Sequence, residues 1–340
     1  MTTGRTVALF FVASPLHYLA ARAVARHFEA GSYCIVVPYR PSARQYVHAE
    51  DWDAVAYAPW PRFDPLPGTF GRHRRLLANL RDVAAAAGSC DILHIHSPVF
   101  DTEAINYFLR DLPKRCGAST MHARILPDGL LNVTRYPLNT ARRAAQLLRK
   151  LRRLVSPQLD YWCFSGDRIG SDASFVDRIY ILAGFPHDYP PAKVVSLPPL
   201  AGDKNGTVGD TVLIVGQPLV GVGALTQTDH DAIQQQIADW LKDHGIERVL
   251  YKAHPRDHAL ELKVPSAGLL EITEPLESHM ATHSYRAVIG VYSTALYLAR
   301  QIYGPEVPVL SFGVDRVRFK NPEQRERSIG LMDRLGIERL

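Results

Sequence analysis

The feature that most constrains the fold is an alternation that the chain runs through twice. Apolar runs at 7–13, 34–37, 92–95 and 118–126 are interleaved with helical spacing at 16–28, 72–87 and 102–109. A strand that must reach its parallel neighbour needs a long crossover, usually a helix. The alternation therefore predicts βαβ units and a mainly parallel sheet. It then restarts, with strands expected at 211–215, 248–252, 269–272, 287–291 and 307–310 and helices at 232–243 and 295–302. Between the halves, FPHDYPPAKVVSLPPLAGDKNGTVGD at 185–210 is rich in Pro and Gly and has little periodicity, as a linker does. The expected organisation is a Rossmann-like domain at 1–190, a linker at 191–210 and a second Rossmann-like domain at 211–315. A C-terminal helix at 316–340 is expected to pack back on the first domain. A cleft between two such domains is the default ligand site.

A chain of 340 residues can build two cores without covalent staples. Cys34, Cys90, Cys116 and Cys163 are scattered and contain no CxxC pair, so they read as buried thiols in a reducing compartment. No apolar run is long enough to span a bilayer, and a cytoplasmic protein is expected. The net charge of +5 is modest but uneven: from Arg135 to Arg153 there are seven Arg or Lys and no acid. An anionic partner near that stretch is expected.

Ligands of open α/β sheets sit beyond the carboxyl ends of the strands. Four polar clusters follow predicted strands there. SPLHYLAA at 14–21 places Ser14 and His17 at a helix start, where an anion or a simple N-cap would fit. Leu126-Pro127-Asp128-Gly129 offers a carboxylate as a general base, or an ordinary turn. In Tyr251-Lys252-Ala253-His254-Pro255-Arg256, three cationic or titratable side chains within five residues suit a phosphate, and a His there suits protonation of a leaving phosphate. Ser293-Thr294 places two hydroxyls at the start of a helix. Each cluster is ambiguous by itself; their order and shared placement at strand ends describe a nucleotide-sugar transferase. There is no GxxxxGK[ST] and no GxGxxG after a strand, which excludes the usual P-loop and dinucleotide readings.

With those residues in view, the chain resembles the bacterial sialyltransferases of the GT-B class, including the polysialyltransferase-like and lipooligosaccharide sialyltransferase families. Their acidic motif, His-Pro motif and paired-hydroxyl motif match Asp128-Gly129, His254-Pro255 and Ser293-Thr294, in that order. SPLHYLAA, the VGQPL at 215–219 and the PLE at 275–277 add to the match. The resemblance implies an α/β protein of two Rossmann-like domains that moves a sialic acid or related nonulosonic acid from its CMP donor to a glycan hydroxyl. It implies an inverting reaction that needs no metal and no cofactor. The donor would be held by Gly216, Gln217, Lys252, His254, Pro255, Glu277, Ser293 and Thr294. The acceptor would lie on the first domain, with Asp128 as base. The family motif has two acids and the first is the usual base; here Pro127 stands in that place. Either Asp128 has taken over the role or another strand-end residue has, with His17, His96, Asp101 and His122 as the candidates, and Ser14, His17, His96, Asp101 and Arg135 are the acceptor or cleft candidates. The alternatives are a CMP-Kdo transferase, a CDP-glycerol-type polyol-phosphate transferase, and a non-catalytic glycan or membrane-surface binding protein.

Two further stretches have two readings each. His94 and His96 alternate in DILHIHSP and therefore share one face of a strand; without a third ligand they read as core or cleft residues, and no metal is expected. In 141–154, ARRAAQLLRKLRRL, the residues Ala144, Leu147, Leu148, Leu151 and Leu154 share a helical face. Either this helix lies on a membrane surface, making the protein peripheral on the inner membrane, or it packs its leucines on the sheet and leaves a basic face in water. Nucleic acid is excluded as a partner, because the basic stretch has no interleaved aromatics.

Overall fold

The computed structural model describes residues 4–128, 135, 137–200, 209–254, 257–319 and 321–340. The chain divides into two compact units. The first runs to Leu182 and includes His187–Pro198; the second comprises Ala183–Pro186 and Pro199–Leu340.

The first unit contains β1 (Thr6–Val12), α1 (Pro15–Phe28), β2 (Tyr33–Pro38), β3 (Ala54–Val55), α2 (Gly71–Ala87), β4 (Ile92–Ser97), α3 (Phe108–Cys116), β5 (Thr120–Ile125), α4 (Thr140–Lys150), β6 (Val176–Ile181) and β7 (Val194–Ser196). Its seven strands are ordered β3-β2-β1-β4-β5-β6-β7, with parallel pairing throughout. β1 is buried along both faces from Val7 to Val12, which is why it reads as an unbroken apolar run rather than an alternation. The order reverses between β1 and β4, so α1 starts at the switch point. Ser14 caps α1 through its side-chain oxygen and Pro15 occupies the first turn, where a missing N–H costs nothing.

The second unit contains β8 (Thr211–Val215), α5 (Gln227–Asp243), β9 (Arg248–Lys252), β10 (Gly268–Leu269), α6 (Leu276–Thr282), β11 (Ala287–Gly290), α7 (Thr294–Tyr303), β12 (Val309–Ser311), α8 (Pro322–Arg334) and β13 (Glu338–Arg339). Its sheet is again parallel, in the order β10-β9-β8-β11-β12-β13. Here the order reverses between β8 and β11. Each unit has its own core. Both Rossmann-like domains expected of the GT-B class are present.

Three boundaries differ from those expected. The segment expected as a linker is partly built into the first sheet: β7 pairs with β6, so ordered chain continues to Pro198 rather than stopping at 190. Its Pro residues flank a short edge strand, where a missing donor does little harm. The helix expected at 102–109 lies later, at Phe108–Cys116, because residues 101–107 form turns in which Asn106 bonds Phe100 O and both backbone groups of Trp162. The C-terminal segment belongs to the second unit. Leu331 and Met332 of α8 are buried, Ser328 Oγ and Tyr292 Oη lie 3.3 Å apart, and β13 pairs with β12.

One buried ionic network fixes the end of α1 to the sheet. Glu29 follows α1 and is 3% exposed. It pairs with Arg124 of β5 and accepts from His94 Nδ1 at 2.8 Å, while Arg124 also holds Asp177 at 3.1 Å. Burial alone would raise the Glu29 carboxyl, but its pairing with His94 and His96 holds it well below the usual carboxylate range. A depressed acid stabilises the fold above its unfolded pKa of about 4.3 and loses that contribution as pH falls. Glu29→Gln is expected to lower unfolding free energy at neutral pH by about 1–3 kcal/mol, since it removes the buried carboxylate that Arg124 and His94 face while Asp177 still holds Arg124. The variant's melting temperature is also expected to fall less steeply in acid than that of the parent, as thermal melts from pH ~7 to ~3 would show.

Candidate functional site

In the second unit, four neighbouring strands, β10, β9, β8 and β11, end on the same edge. The predicted donor residues follow them: Gly216 and Gln217 after β8, Lys252 and His254 at the end of β9, Glu277 in the first turn of α6 after β10, and Ser293 and Thr294 after β11. Pro255 lies outside the described residues. A parallel sheet does this by construction, because every strand leaves the sheet at the same edge.

The loops at this edge are tied together by a single side chain. Gln217 Nε2 donates to Tyr292 O, and its Oε1 accepts from Tyr292 N at 2.8 Å. The carboxamide thus pairs with Tyr292 as another peptide would, and it spans the switch point between β8 and β11. Just before it, Gly216 donates its N–H to Lys252 O at 2.9 Å, linking β8 to β9. A Cβ at Gly216 would lie 2.2 Å from Tyr251 Oη. Glycine is required there because the Tyr251 ring fills the space beneath the loop.

Tyr251 and Asp257 were not singled out from the sequence. Tyr251 is fully buried and donates its hydroxyl to Asp257; burial and this neighbouring carboxylate push the phenol far up. Asp257 N donates to His254 O at 2.8 Å and Asp257 Oδ1 accepts from Glu261 N at 3.1 Å. Asp257 therefore sets the course of the chain on either side of the His-Pro motif. The available signal was a buried-strand tyrosine followed six residues later by an acid, which is too common to stand out.

Ser293 caps α7, accepting from Ala295 N at 3.2 Å. The capping role is real, and it leaves the hydroxyl proton for a further acceptor. Thr294 is exposed at the first turn of the same helix. The N-terminus of this ten-residue helix adds partial positive charge at the edge.

In the first unit, the edge beyond β1 and β5 brings Ser14, His17 and Asp128 together. Ser14 Oγ accepts from His17 N at 3.3 Å. His17 Nδ1 accepts from Ala13 N–H at 3.3 Å, so the ring proton is carried on Nε2, which donates to Asp128 Oδ1 at 2.8 Å. With one nitrogen bound to backbone and the other to the carboxylate, His17 orients Asp128 and is not itself placed to take a substrate proton. Burial would raise the Asp128 carboxyl, but the His17 hydrogen bond and the nearby Arg40 and Arg168 lower it below its ordinary value. Its side chain is 31% exposed. An ionised, oriented and reachable carboxylate is what a general base on a hydroxyl requires.

The other first-domain candidates lie elsewhere. His96 is fully buried, stacked 4.2 Å from Phe10, with Nδ1 donating to Leu9 O at 3.2 Å. It is a core residue, because its strand position turns it into the layer beneath α1. Burial lowers its pKa. Asp101 is buried and accepts from Tyr161 Oη at 2.8 Å. Arg135 is paired with Asp167 at 3.2 Å and with Asp172. His122 lies 3.9 Å from Asp177.

Among the described residues, one set of side chains has metal-ligand types in proximity: Glu274, His279 and His283, with ligand atoms within 4.8 Å of one another. His279 Nδ1 lies 3.0 Å from Glu274 Oε1 and Nε2 lies 2.8 Å from Tyr285 Oη. Its ring stacks on His283 at 3.8 Å with an angle of 16°. Parallel rings send their lone pairs side by side rather than toward one point, so the arrangement suits packing and hydrogen bonding better than a closed metal shell.

Comparison with known proteins bears on this edge. Residues 183–310 match the family model of alpha-2,8-polysialyltransferase (POLYST). The matched stretch contains every donor motif of the second unit and stops short of Asp128 in the first. It supports the sialyltransferase resemblance read from the sequence, and with it a glycosyltransferase. No curated protein sequence matches the chain. Solved structures similar to it include the glycotransferase of kitacinnamycin, at TM-score 0.45 and 10% identity over 99% of this chain and 86% of that one. Also similar is a UDP-glucosyltransferase from Polygonum tinctorium, at TM-score 0.47 and 11% identity over 99% and 85%. A third is the calicheamicin glycosyltransferase, at TM-score 0.45 and 14% identity over 100% and 86%.

Gln217→Glu tests the tie across the switch point. It removes the donor to Tyr292 O and sets a carboxylate oxygen against that carbonyl. A loss of about 1–3 kcal/mol in denaturant unfolding is expected, with Gln217→Ala at the lower end.

Proposed function

We propose that the chain is a CMP-dependent glycosyltransferase that moves a sialic acid or related nonulosonic acid to a glycan hydroxyl, with inversion and without a metal or cofactor. The observation that carries this reading is the succession of donor motifs along four adjacent strand ends of the second sheet, inside the segment that matches the polysialyltransferase model.

The chemistry asks for two things. The bond from the anomeric carbon to the donor phosphate breaks, and the phosphate leaves with the bonding pair as CMP. Lys252, His254, the Ser293 and Thr294 hydroxyls and the α7 N-terminus are suited to stabilise that charge, with His254 giving the phosphate a proton. Glu277 serves the ribose hydroxyls, and Gly216 with Gln217 shapes the nucleotide loop. The acceptor hydroxyl forms the new bond as it loses its proton, and Asp128, held by His17, is the base. The departure at Pro127 is offset by this bond: with no first acid beside it, Asp128 is oriented by a histidine from another element. The product ketal belongs to surface polysaccharide or lipooligosaccharide synthesis.

Two measurements test this. CMP is expected to raise the melting temperature of the protein, with CDP, UDP and GDP giving little; a CDP preference would instead indicate a polyol-phosphate transferase, and no response to any would remove the donor assignment. His254→Ala and Asp128→Asn are each expected to cut transfer from a CMP-sugar by about 10²–10⁴-fold. CMP stabilisation should survive in Asp128→Asn, and a fully active Asp128→Asn would move the base elsewhere.

A further inference from the structure

The helix α4 is built with its polarity reversed. In an ordinary surface helix the apolar stripe faces the domain. Here the inward face is polar. Gln146 is the only buried residue of α4. Arg149 Nη1 donates to Tyr161 Oη at 2.9 Å and lies 3.7 Å from Asp101. Tyr107 Oη donates to Arg149 O at 3.3 Å. Just beyond the helix, Arg152 pairs with Glu103 and Arg153 lies 3.8 Å from Asp160. Asn139 caps the start through Arg142 N at 2.9 Å. The helix is therefore held to the first unit by polar contacts and charge, and the reading in which its leucines pack on the sheet does not hold.

The apolar stripe points the other way. Leu147, Leu148, Leu151, Leu154 and Val155 are 56–81% exposed. They make up five of the eleven large hydrophobic side chains exposed among the described residues, and they fall within nine consecutive positions. Both cores elsewhere bury nearly every leucine they contain. A contiguous apolar patch of this kind marks an interaction surface. Its charge selects the partner. Arg142 and Arg143 are exposed on the same helix as the leucines, Arg143 with one Nη donating to Ser165 O, and no acid occurs between Arg135 and Arg153. Apolar side chains flanked by cations fit the boundary between acyl chains and anionic headgroups.

We propose that the outward face of α4 and the turn that follows it is a docking surface for an anionic lipid bilayer, with the leucines inserted at the headgroup boundary and the arginines on the headgroups. Among the described residues no helix is long and apolar enough to cross a membrane, so the contact is peripheral. The proposal is independent of the donor and of the transfer chemistry.

The test is flotation of the full chain with vesicles of phosphatidylcholine containing about one-third phosphatidylglycerol, against vesicles of phosphatidylcholine alone. The protein is expected to float with the anionic vesicles, to be released by high salt, and to stay behind with the neutral ones. Leu147→Gln combined with Leu151→Gln is expected to lower partition at least about tenfold. Its melting temperature and CMP response should be unchanged, because both positions are exposed. Arg142→Glu with Arg143→Glu should weaken binding to the anionic vesicles as well. Failure of the parent to float, equal flotation with both vesicle types, or equal flotation of the leucine variant would overturn the proposal. So would a self-associated parent in sedimentation that the leucine variant renders monomeric, since the face would then belong to a second copy.

Discussion

The carboxamide of Gln217 is the interaction on which the candidate donor edge depends. A parallel sheet can deliver its strands to one edge, but it does not fix the loops that leave it. β8 and β11 are neighbours, and their loops depart on opposite sides of the switch point. Gln217 pairs with both backbone groups of Tyr292 and thereby holds the VGQPL loop to the loop that opens α7. Beneath it, Tyr251 and Asp257 support Gly216 and steer the chain past His254. The motif residues that would contact a ligand are thus positioned by a layer of polar contacts in which the side chains are saturated. That arrangement lowers the cost of ordering the loops when a ligand arrives.

The architecture was largely readable in the sequence because parallel sheets write themselves as apolar runs separated by crossovers. β1, β2, β4, β5, β8, β9 and β11 all fall within or close to their expected ranges. The misses have physical reasons. β7 is a three-residue edge strand set among prolines, with no run long enough to register as a strand. α3 contains Pro113, which reads as a terminator, yet it sits in the interior of the helix. α8 and β13 close the second sheet, and an amphipathic tail does not reveal which of two domains it will cover.

The site was readable where chain order suffices and unreadable where contact is needed. That His254, Glu277 and Ser293 share an edge follows from strand order. That His17 meets Asp128 does not, because 111 residues separate them and either residue alone passes for a cap or a turn. His96 illustrates the opposite error. Its position late in a strand suggested the ligand edge, but strand alternation points it into the layer under α1, where Phe10 and Tyr180 enclose it. Sequence position gives depth along a strand readily, and the face only when the neighbours are known.

The passage from Leu182 to Pro199 has a practical consequence. Ala183–Pro186 belongs to the second unit, where Gln301 Nε2 donates to Ala183 O at 2.8 Å, and Gly184 fits closely against Leu335. His187–Pro198 then returns to the first unit to supply β7 before the chain leaves again. The two units are therefore stitched rather than strung. No single cut yields two complete halves: a fragment starting at 211 loses the carbonyl that Gln301 needs, and one starting at 183 carries away the edge strand of the other sheet. Swapping the first unit between relatives of this chain would need a graft with three junctions, at 182, 186 and 198.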